Sequence, residues 1–367
     1  MIIKTNDFKE ACKAINVAVD NIPILELVVK ESNLFLNVTN NEYYVGIKYP
    51  LENPEEFRAV VNAKLFLDLV TNITAETMEM KIVDRTLQIK AGKSKYTVPM
   101  IYENDAVAEI VQIKLGNAQV EMTIKQEIFE SIYNANRKEY QKIKNLDANE
   151  LQKLYYITEC GAFNFTNGAC LNSFTLDKPI KLLLNDRIVK LFKLFNSDVN
   201  FRFGHDFSAS GPETKAIFET GNVYVAAIIT NDETLLNKIQ GPYEATKSFI
   251  SETYPVKVVV SVNSLMEATT RLLLFSKNVV SSGDPIVKVT AENTELTIAD
   301  KAGNSETLII ENGSFVGDPY TFGVNLNDIK LVLDSCKDEH ITINCGNSRS
   351  LIITRGPINN LIPESRI

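Results

Sequence analysis

A short pattern occurs three times along this chain and restricts the folds open to it. Val60-Val-Asn-Ala-Lys-Leu-Phe-Leu-Asp-Leu-Val70, Leu183-Leu-Asn-Asp-Arg-Ile-Val-Lys-Leu-Phe192 and Gly323-Val-Asn-Leu-Asn-Asp-Ile-Lys-Leu-Val-Leu333 each hold an apolar run that ends at an asparagine. Apolar residues follow four and seven places later: Phe66 and Leu69, Val189 and Phe192, Ile329 and Val332. Asparagine accepts hydrogen bonds from the first unpaired N–H groups of a helix, and the spacing puts the apolar side chains on one helical face. Each copy is therefore expected to be a strand running into an amphipathic helix capped by Asn62, Asn185 or Asn325. The three asparagines lie roughly a third of the 367-residue chain apart.

A second set of helical segments starts near Phe8, Phe129 and Leu265, each 54 to 60 residues before one of those asparagines. Between them are strand-like runs beginning at Ile24, Leu34, Met78, Val199, Val223, Val256 and Glu295, in which β-branched residues and alternation dominate. Two helices and several strands per repeat give an α+β class, with helices on one face of antiparallel sheets. The expected organisation is three similar tandem domains, 1–116, 117–249 and 250–367, joined near Leu115-Gly-Asn-Ala and near Lys247-Ser-Phe-Ile-Ser-Glu.

Composition narrows the function. At 45% hydrophobic and 23% charged residues the chain has an ordinary globular balance. Charge enters at Lys4, and no window approaches the roughly 20 apolar residues of a membrane span, so a cytoplasmic protein with no membrane partner is expected. The cysteines, at 12, 160, 170, 336 and 345, form no metal-ligand pair and read as reduced thiols. His205 and His340 are the only histidines, which leaves little for imidazole catalysis or a histidine metal site. No catalytic residue, metal or cofactor is expected, and the protein reads as a non-enzyme.

One stretch points elsewhere at first sight. Gln88-Ile-Lys-Ala-Gly-Lys-Ser-Lys-Tyr-Thr-Val-Pro-Met100 contains Gly-Lys-Ser, the tail of a phosphate-binding loop. That loop needs another glycine five positions earlier, where Leu87 stands, and a helix after it, where β-branched alternation continues. The stretch reads as a hairpin with a basic tip.

The formal net charge is −8, yet the six helix candidates together carry +6 and the remainder −14. Positive helices on an acidic protein can attract a polyanion to one surface while the rest repels it. The same lysines can equally decorate solvated helix faces, and the charge bias alone leaves both readings open.

At this point the residues resemble a known family, the bacterial DNA polymerase III beta subunit, or beta sliding clamp. The resemblance spans the whole chain: Ile22-Pro-Ile-Leu and Leu36-Asn-Val-Thr-Asn-Asn-Glu, the Val60 and Ile89-Lys-Ala-Gly-Lys-Ser-Lys-Tyr stretches, Leu154-Tyr-Tyr-Ile, Phe165-Thr-Asn-Gly-Ala-Cys-Leu171, Val262-Asn-Ser-Leu-Met-Glu-Ala-Thr-Thr-Arg271, Phe322-Gly-Val-Asn and Leu361-Ile-Pro-Glu-Ser-Arg-Ile367. It implies the DNA clamp fold and a head-to-tail homodimer whose six domains close a ring. Helices would line a hole around double-stranded DNA, held without sequence specificity, and the basic Gly-Lys-Ser-Lys hairpin would bind no nucleotide. The implied partners are a replicative DNA polymerase and a clamp loader, in a cytoplasmic, nucleoid-associated setting.

Site residues follow from the same resemblance together with the helix pattern. The expected DNA-facing set is Lys9, Lys13, Arg137, Lys138, Arg187, Lys190, Lys193, Arg271 and Lys277, with Tyr155 and Tyr156 matching a tyrosine pair near DNA in some clamps. The family's partner-peptide groove maps to Ile157, Thr166, Gly168, Ala169, Cys170, Leu171, Phe249, Leu361, Ile362 and Pro363. Departures occur in that groove: Asn167, Ala169 and Cys170 replace an acidic residue, a histidine-like residue and an arginine, and Glu364-Ser365 occupies a place where one residue is usual. The alternative reading is a clamp-shaped decoy that captures replication partners without supporting synthesis.

Overall fold

The computed structural model describes the chain except residues 20–22, 136–149, 166–168, 209–210, 230–231, 279–284, 312, 348 and 367, with backbone alone at 150, 152, 208 and 276–278. Its helices are α1 (Thr5–Asn16), α2 (Ala63–Asn72), α3 (Gln126–Ala135), α4 (Asp186–Leu191), α5 (Glu233–Ile250), α6 (Val262–Asn278) and α7 (Leu326–Asp334). The three repeated asparagines cap as their spacing predicts. Leu65 N–H donates to Asn62 Oδ1 at 2.9 Å, Ile188 N–H to Asn185 Oδ1 at 3.0 Å, and Asn327 N–H to Asn325 Oδ1 at 2.9 Å.

The chain divides into two compact units, residues 1–129 with 190–230, and residues 130–189 with 231–367. In the first, eight antiparallel strands run in the order Val120–Ile124, Val199–Ser208, Gly211–Glu219, Val223–Ile229, Tyr43–Pro50, Asn33–Thr39, Ile24–Lys30 and Arg58–Asn62. Val225 pairs with Val45, so strands from either side of the expected joint at 116 share one ladder. Phe8 of α1 meets Phe66 of α2 edge-on at 6.4 Å between ring centroids, both fully buried. Elsewhere in this unit Phe129, Phe192, Phe195, Phe201 and Phe218 form one aromatic cluster.

A second, four-stranded sheet of this unit holds Ile2–Lys4, Thr77–Val83, Thr86–Ala91 and Ser94–Pro99. Ala91 pairs with Ser94 across a two-residue turn, Gly92-Lys93, with Gly92 at φ +59°. The left-handed conformation suits glycine and fixes the hairpin, and the strand that follows offers no helix N-terminus to a phosphate.

The second unit contains a nine-stranded sheet that includes Leu154–Thr158, Gly161–Phe165, Ala169–Ser173, Ile358–Pro363, Ser350–Arg355, His340–Cys345 and Val256–Ser261. Ala169 pairs with Leu361, so this ladder also passes from one expected domain to the next. Alternation sends neighbouring residues to opposite faces. Ile362 joins the core under α6 and α7, while Leu361 packs with α5 on the other face.

Helix α5 was not expected from the sequence, and its last residues reach the expected joint at 247–252. Gly241-Pro242 in its middle obscured it, because proline has no N–H for the carbonyl four residues back. Tertiary packing overrides that weakness. Leu235, Ile239 and Tyr243 are buried against the sheet, and Asp232 accepts from Thr234 N–H at 2.7 Å and Leu235 N–H at 3.3 Å. Among the described residues no helix is long and apolar enough to cross a membrane.

Candidate functional site

The expected DNA-facing cations fall into distinct environments. Lys9 is half-buried on α1; Lys13 is exposed and forms an ion pair with Glu10 at 2.7 Å. Arg187 and Lys193 are exposed and Lys190 is half-buried, on α4 and the 3₁₀ turn that continues it. Arg271 is committed: its guanidinium grips Glu306 with two hydrogen bonds, at 2.7 and 3.0 Å, and Glu267 with a third at 3.3 Å. These carboxylates raise the Arg271 pKa, with the Glu306 hydrogen bonds the largest cause. Arg137 and Lys138 lie outside the described residues, as does the side chain of Lys277.

The tyrosine pair is a correction. Tyr155 and Tyr156 are 1% and 2% exposed, on a strand buried on both faces, and they present no surface to DNA. Tyr156 instead packs edge-on against Tyr243 of α5, with ring centroids 5.3 Å apart.

The expected groove residues are also divided by the sheet. Ile157, Cys170 and Ile362 are buried, Cys170 with Ala135 and Ile358, and Ile362 in the core beneath α6 and α7. Alternation sends all three away from α5, so they cannot line a groove on its side of the sheet. Ala169, Leu171 and Leu361 share the α5 face, where Leu235, Ile239 and Tyr243 cover them. Phe249 is half-buried near the end of α5, Pro363 is exposed, and Thr166 and Gly168 lie outside the described residues.

Chemically reactive groups are few. Burial pushes the Cys345 thiol up to about 12 and raises Cys12 as well, so neither is a thiolate near neutral pH. Among the described residues no group of three or more His, Cys, Asp or Glu is arranged to hold a metal ion.

A feature the sequence reading missed is which strands lie at the sheet edges, two of them being Ser94–Pro99 and Ser305–Ile309. The strand Ser94–Pro99 ends one four-stranded sheet and pairs on one side only among the described residues. In the second unit Ser305–Ile309 does the same in the sheet with Glu295–Ala299, Ile286–Ala291 and Tyr320–Asn325. Ile309 is 79% exposed there, and Leu274 and Phe275 of the adjoining α6 are 58% and 50% exposed. The signal was present: Leu272-Leu-Leu-Phe275 is a longer apolar run than one helix face can bury.

Paired helices on antiparallel sheets whose ladders continue from one repeat into the next define a DNA clamp fold, spanning the whole chain. Residues 1–107 match the family model of the DNA polymerase III beta subunit, N-terminal domain. The DNA polymerase III beta subunit of Thermotoga maritima is 16% identical, with 100% of this chain and 99% of that one covered at a TM-score of 0.73. A sliding clamp from Pseudomonas aeruginosa, solved bound to griselimycin, gives 14% identity and a TM-score of 0.76 at the same coverage. The Helicobacter pylori beta clamp, solved with a DNA ligase peptide, gives 16% and 0.70, again at 100% and 99%. No curated protein matches the chain in sequence.

Proposed function

We propose that this protein is a DNA sliding clamp, a processivity factor without catalytic activity that encircles duplex DNA and tethers a replicative polymerase. The observation that carries the reading is a clamp fold over the full chain, with sheet ladders that pass without a break across both expected domain joints. The domains are taken as 1–116, 117–249 and 250–367, the second joint falling at the end of α5.

Two chains would close a six-domain ring by joining the open edge at Ser94–Pro99 to the open edge at Ser305–Ile309 of the partner. Unpaired edges are templates for another strand, and the exposed Leu274, Phe275 and Ile309 supply apolar area beside one of them. A ring holds DNA by topology, so its cation contacts can be weak and sequence-independent. Lys9, Lys13, Arg187, Lys190 and Lys193 are the described candidates for those contacts. A tethered polymerase then stays near the primer terminus at high effective concentration.

The test is retention on nicked circular DNA after incubation with a cognate clamp loader and ATP, before and after linearisation at fixed salt. Retention lost on linearisation is the expected result. Equal retention on both forms would mean ordinary surface binding, and absence from both would favour the decoy reading.

A further inference from the structure

We infer that the connector between the first and second repeats, residues 108–119, is a strap that presets the arc of this chain for ring closure, so that residues outside both dimer edges control dimer affinity. The inference rests on the clamp reading above and concerns the regulation of its assembly. At the seam between the two repeats, Tyr43–Pro50 of the first pairs with Val223–Ile229 of the second through five registered residues, from Tyr43 with Ala227 to Ile47 with Val223. A single ladder leaves such a seam adjustable, because the twist between neighbouring strands ranges over roughly 10 to 35°. A segment laid across the seam narrows that range.

The connector is such a segment. Tyr44, Ala226 and Ile217 form one cross-strand row over three neighbouring strands, and alternation turns them away from the face of Val45, Val225 and Phe218, which packs against Phe129 of α3. Ile110, Ile113 and Leu115 pack against that row, and the Tyr224 hydroxyl donates to the Ile113 carbonyl at 3.2 Å. One end is tied to the first repeat, where the Arg58 guanidinium donates to the Ala108 carbonyl and to Glu26, both at 2.9 Å. The other is tied to the second. Gly116 N–H donates to both oxygens of Asp206, at 2.9 and 3.2 Å, and Gln119 N–H to the Phe203 carbonyl at 2.8 Å.

Two residues of the strand Val199–Ser208 make that second tie possible. Gly204 leaves room where the connector crosses: a Cβ there would stand 2.4 Å from the Asn117 carbonyl oxygen and 3.3 Å from the Gln119 nitrogen, backbone atoms that only a shift of the connector could clear. Two residues on, Asp206 holds the Gly116 N–H with a carboxylate, and an ionised acceptor makes a stronger hydrogen bond than a neutral one. In a closed ring each chain must keep one fixed arc. A strapped seam already has it, so closure costs little further ordering. A free seam gives up its twist freedom at that step, and the cost appears as weaker dimerisation. Each dimer contains two seams, so the cost enters twice.

Asp206→Ala releases the tie and leaves Ser94–Pro99 and Ser305–Ile309 unchanged. It is expected to raise the dimer dissociation constant by about 5- to 20-fold in sedimentation equilibrium on the full-length protein, and to speed amide hydrogen exchange across 113–119. Asp206→Asn keeps one carbonyl acceptor for Gly116 and is expected to stay within about 2-fold of the native constant. Gly204→Ala forces the connector off its strand and is expected to weaken dimerisation by at least about 10-fold, with the thermal midpoint at low protein concentration reporting whether the protomer stays folded. If it does not, Asp206→Ala decides alone. Faster exchange in Asp206→Ala with an unchanged dimer constant would overturn the inference, because the seam would then keep its arc without the strap. Unchanged exchange across 113–119 in that variant would overturn it as well. A native chain that is monomeric at micromolar concentration is the separate failure of the clamp reading.

Discussion

Leu274→Asp combined with Phe275→Asp is expected to turn the proposed dimer into a monomer with the 41.1 kDa mass of one chain in light scattering at micromolar concentration. Both side chains are at least half exposed on α6, one helical turn beyond Arg271, whose guanidinium ties the helix to Glu306 of the open-edged strand Ser305–Ile309. Within one chain they bury little, so aspartates there cost the protomer little stability. In the closed ring each would force a carboxylate into an apolar contact without a partner, and a twofold assembly contains every contact twice. The expected rise in the dimer dissociation constant is at least about 100-fold, roughly 2.8 kcal/mol. An unchanged thermal midpoint extrapolated to low protein concentration, with loss of retention on circular DNA, completes the expected pattern. A double variant that remains dimeric and is retained on DNA would remove this edge from the proposed ring, and a native chain that is monomeric at micromolar concentration would remove the ring itself.

Phe192→Ala is expected to have the largest effect on stability. Phe192 is 2% exposed, with ring centroids 4.8 Å from Phe129, 5.5 Å from Phe218 and 5.8 Å from Phe195. Truncation removes buried area and leaves a cavity that the remaining rings cannot fill without giving up their present contacts with one another. Comparable losses are about 3–5 kcal/mol, of which the aromatic pairing accounts for about 0.5–1.5 kcal/mol per pair. For a unit of this size that corresponds to a fall in thermal midpoint of about 6–20 °C. Phe192→Leu retains most of the volume and is expected to lose less than half as much. Phe192 begins the 3₁₀ turn that continues α4, so the same substitution loosens the segment presenting Lys190 and Lys193 and is expected to reduce DNA retention. A fall of less than about 1 kcal/mol would mean that this cluster is not the tight core described.

The elements that were legible in the sequence are those set by local chemistry. Asn62, Asn185 and Asn325 announce helix starts because a cap is a contact between a side chain and backbone groups two or three residues on. The Gly92-Lys93 turn was legible for a similar reason, since a two-residue hairpin is specified by the residues in it. The repeat of these signals by thirds, with the resemblance, carried the clamp fold.

Where the reading went wrong, the decisive partner lay far along the chain. Leu154-Tyr-Tyr-Ile-Thr158 is a continuous apolar run, the mark of a strand buried on both faces, and that pattern argued for the interior rather than for DNA. Arg271 is exposed, but its pairing with Glu306 was not legible because the glutamate is 35 residues away in sequence. Groove residues taken consecutively from a motif, such as Ala169, Cys170 and Leu171, must alternate across a sheet, so one strand could not present all of them to one peptide.

The sequence by itself determined the repeated strand–helix units, their caps, the hairpin at Gly92 and the scarcity of groups for catalysis, because each depends on residue type and on neighbours within a turn or two. Only the tertiary structure decided that Gly241-Pro242 lies inside a helix, that this helix covers Ala169, Leu171 and Leu361, and that Ser94–Pro99 and Ser305–Ile309 are edge strands, each paired on one side only among the described residues. Those outcomes come from burial and strand pairing between distant segments. Apolar area removed from water outweighed a weak helix propensity, and no local signal records that balance.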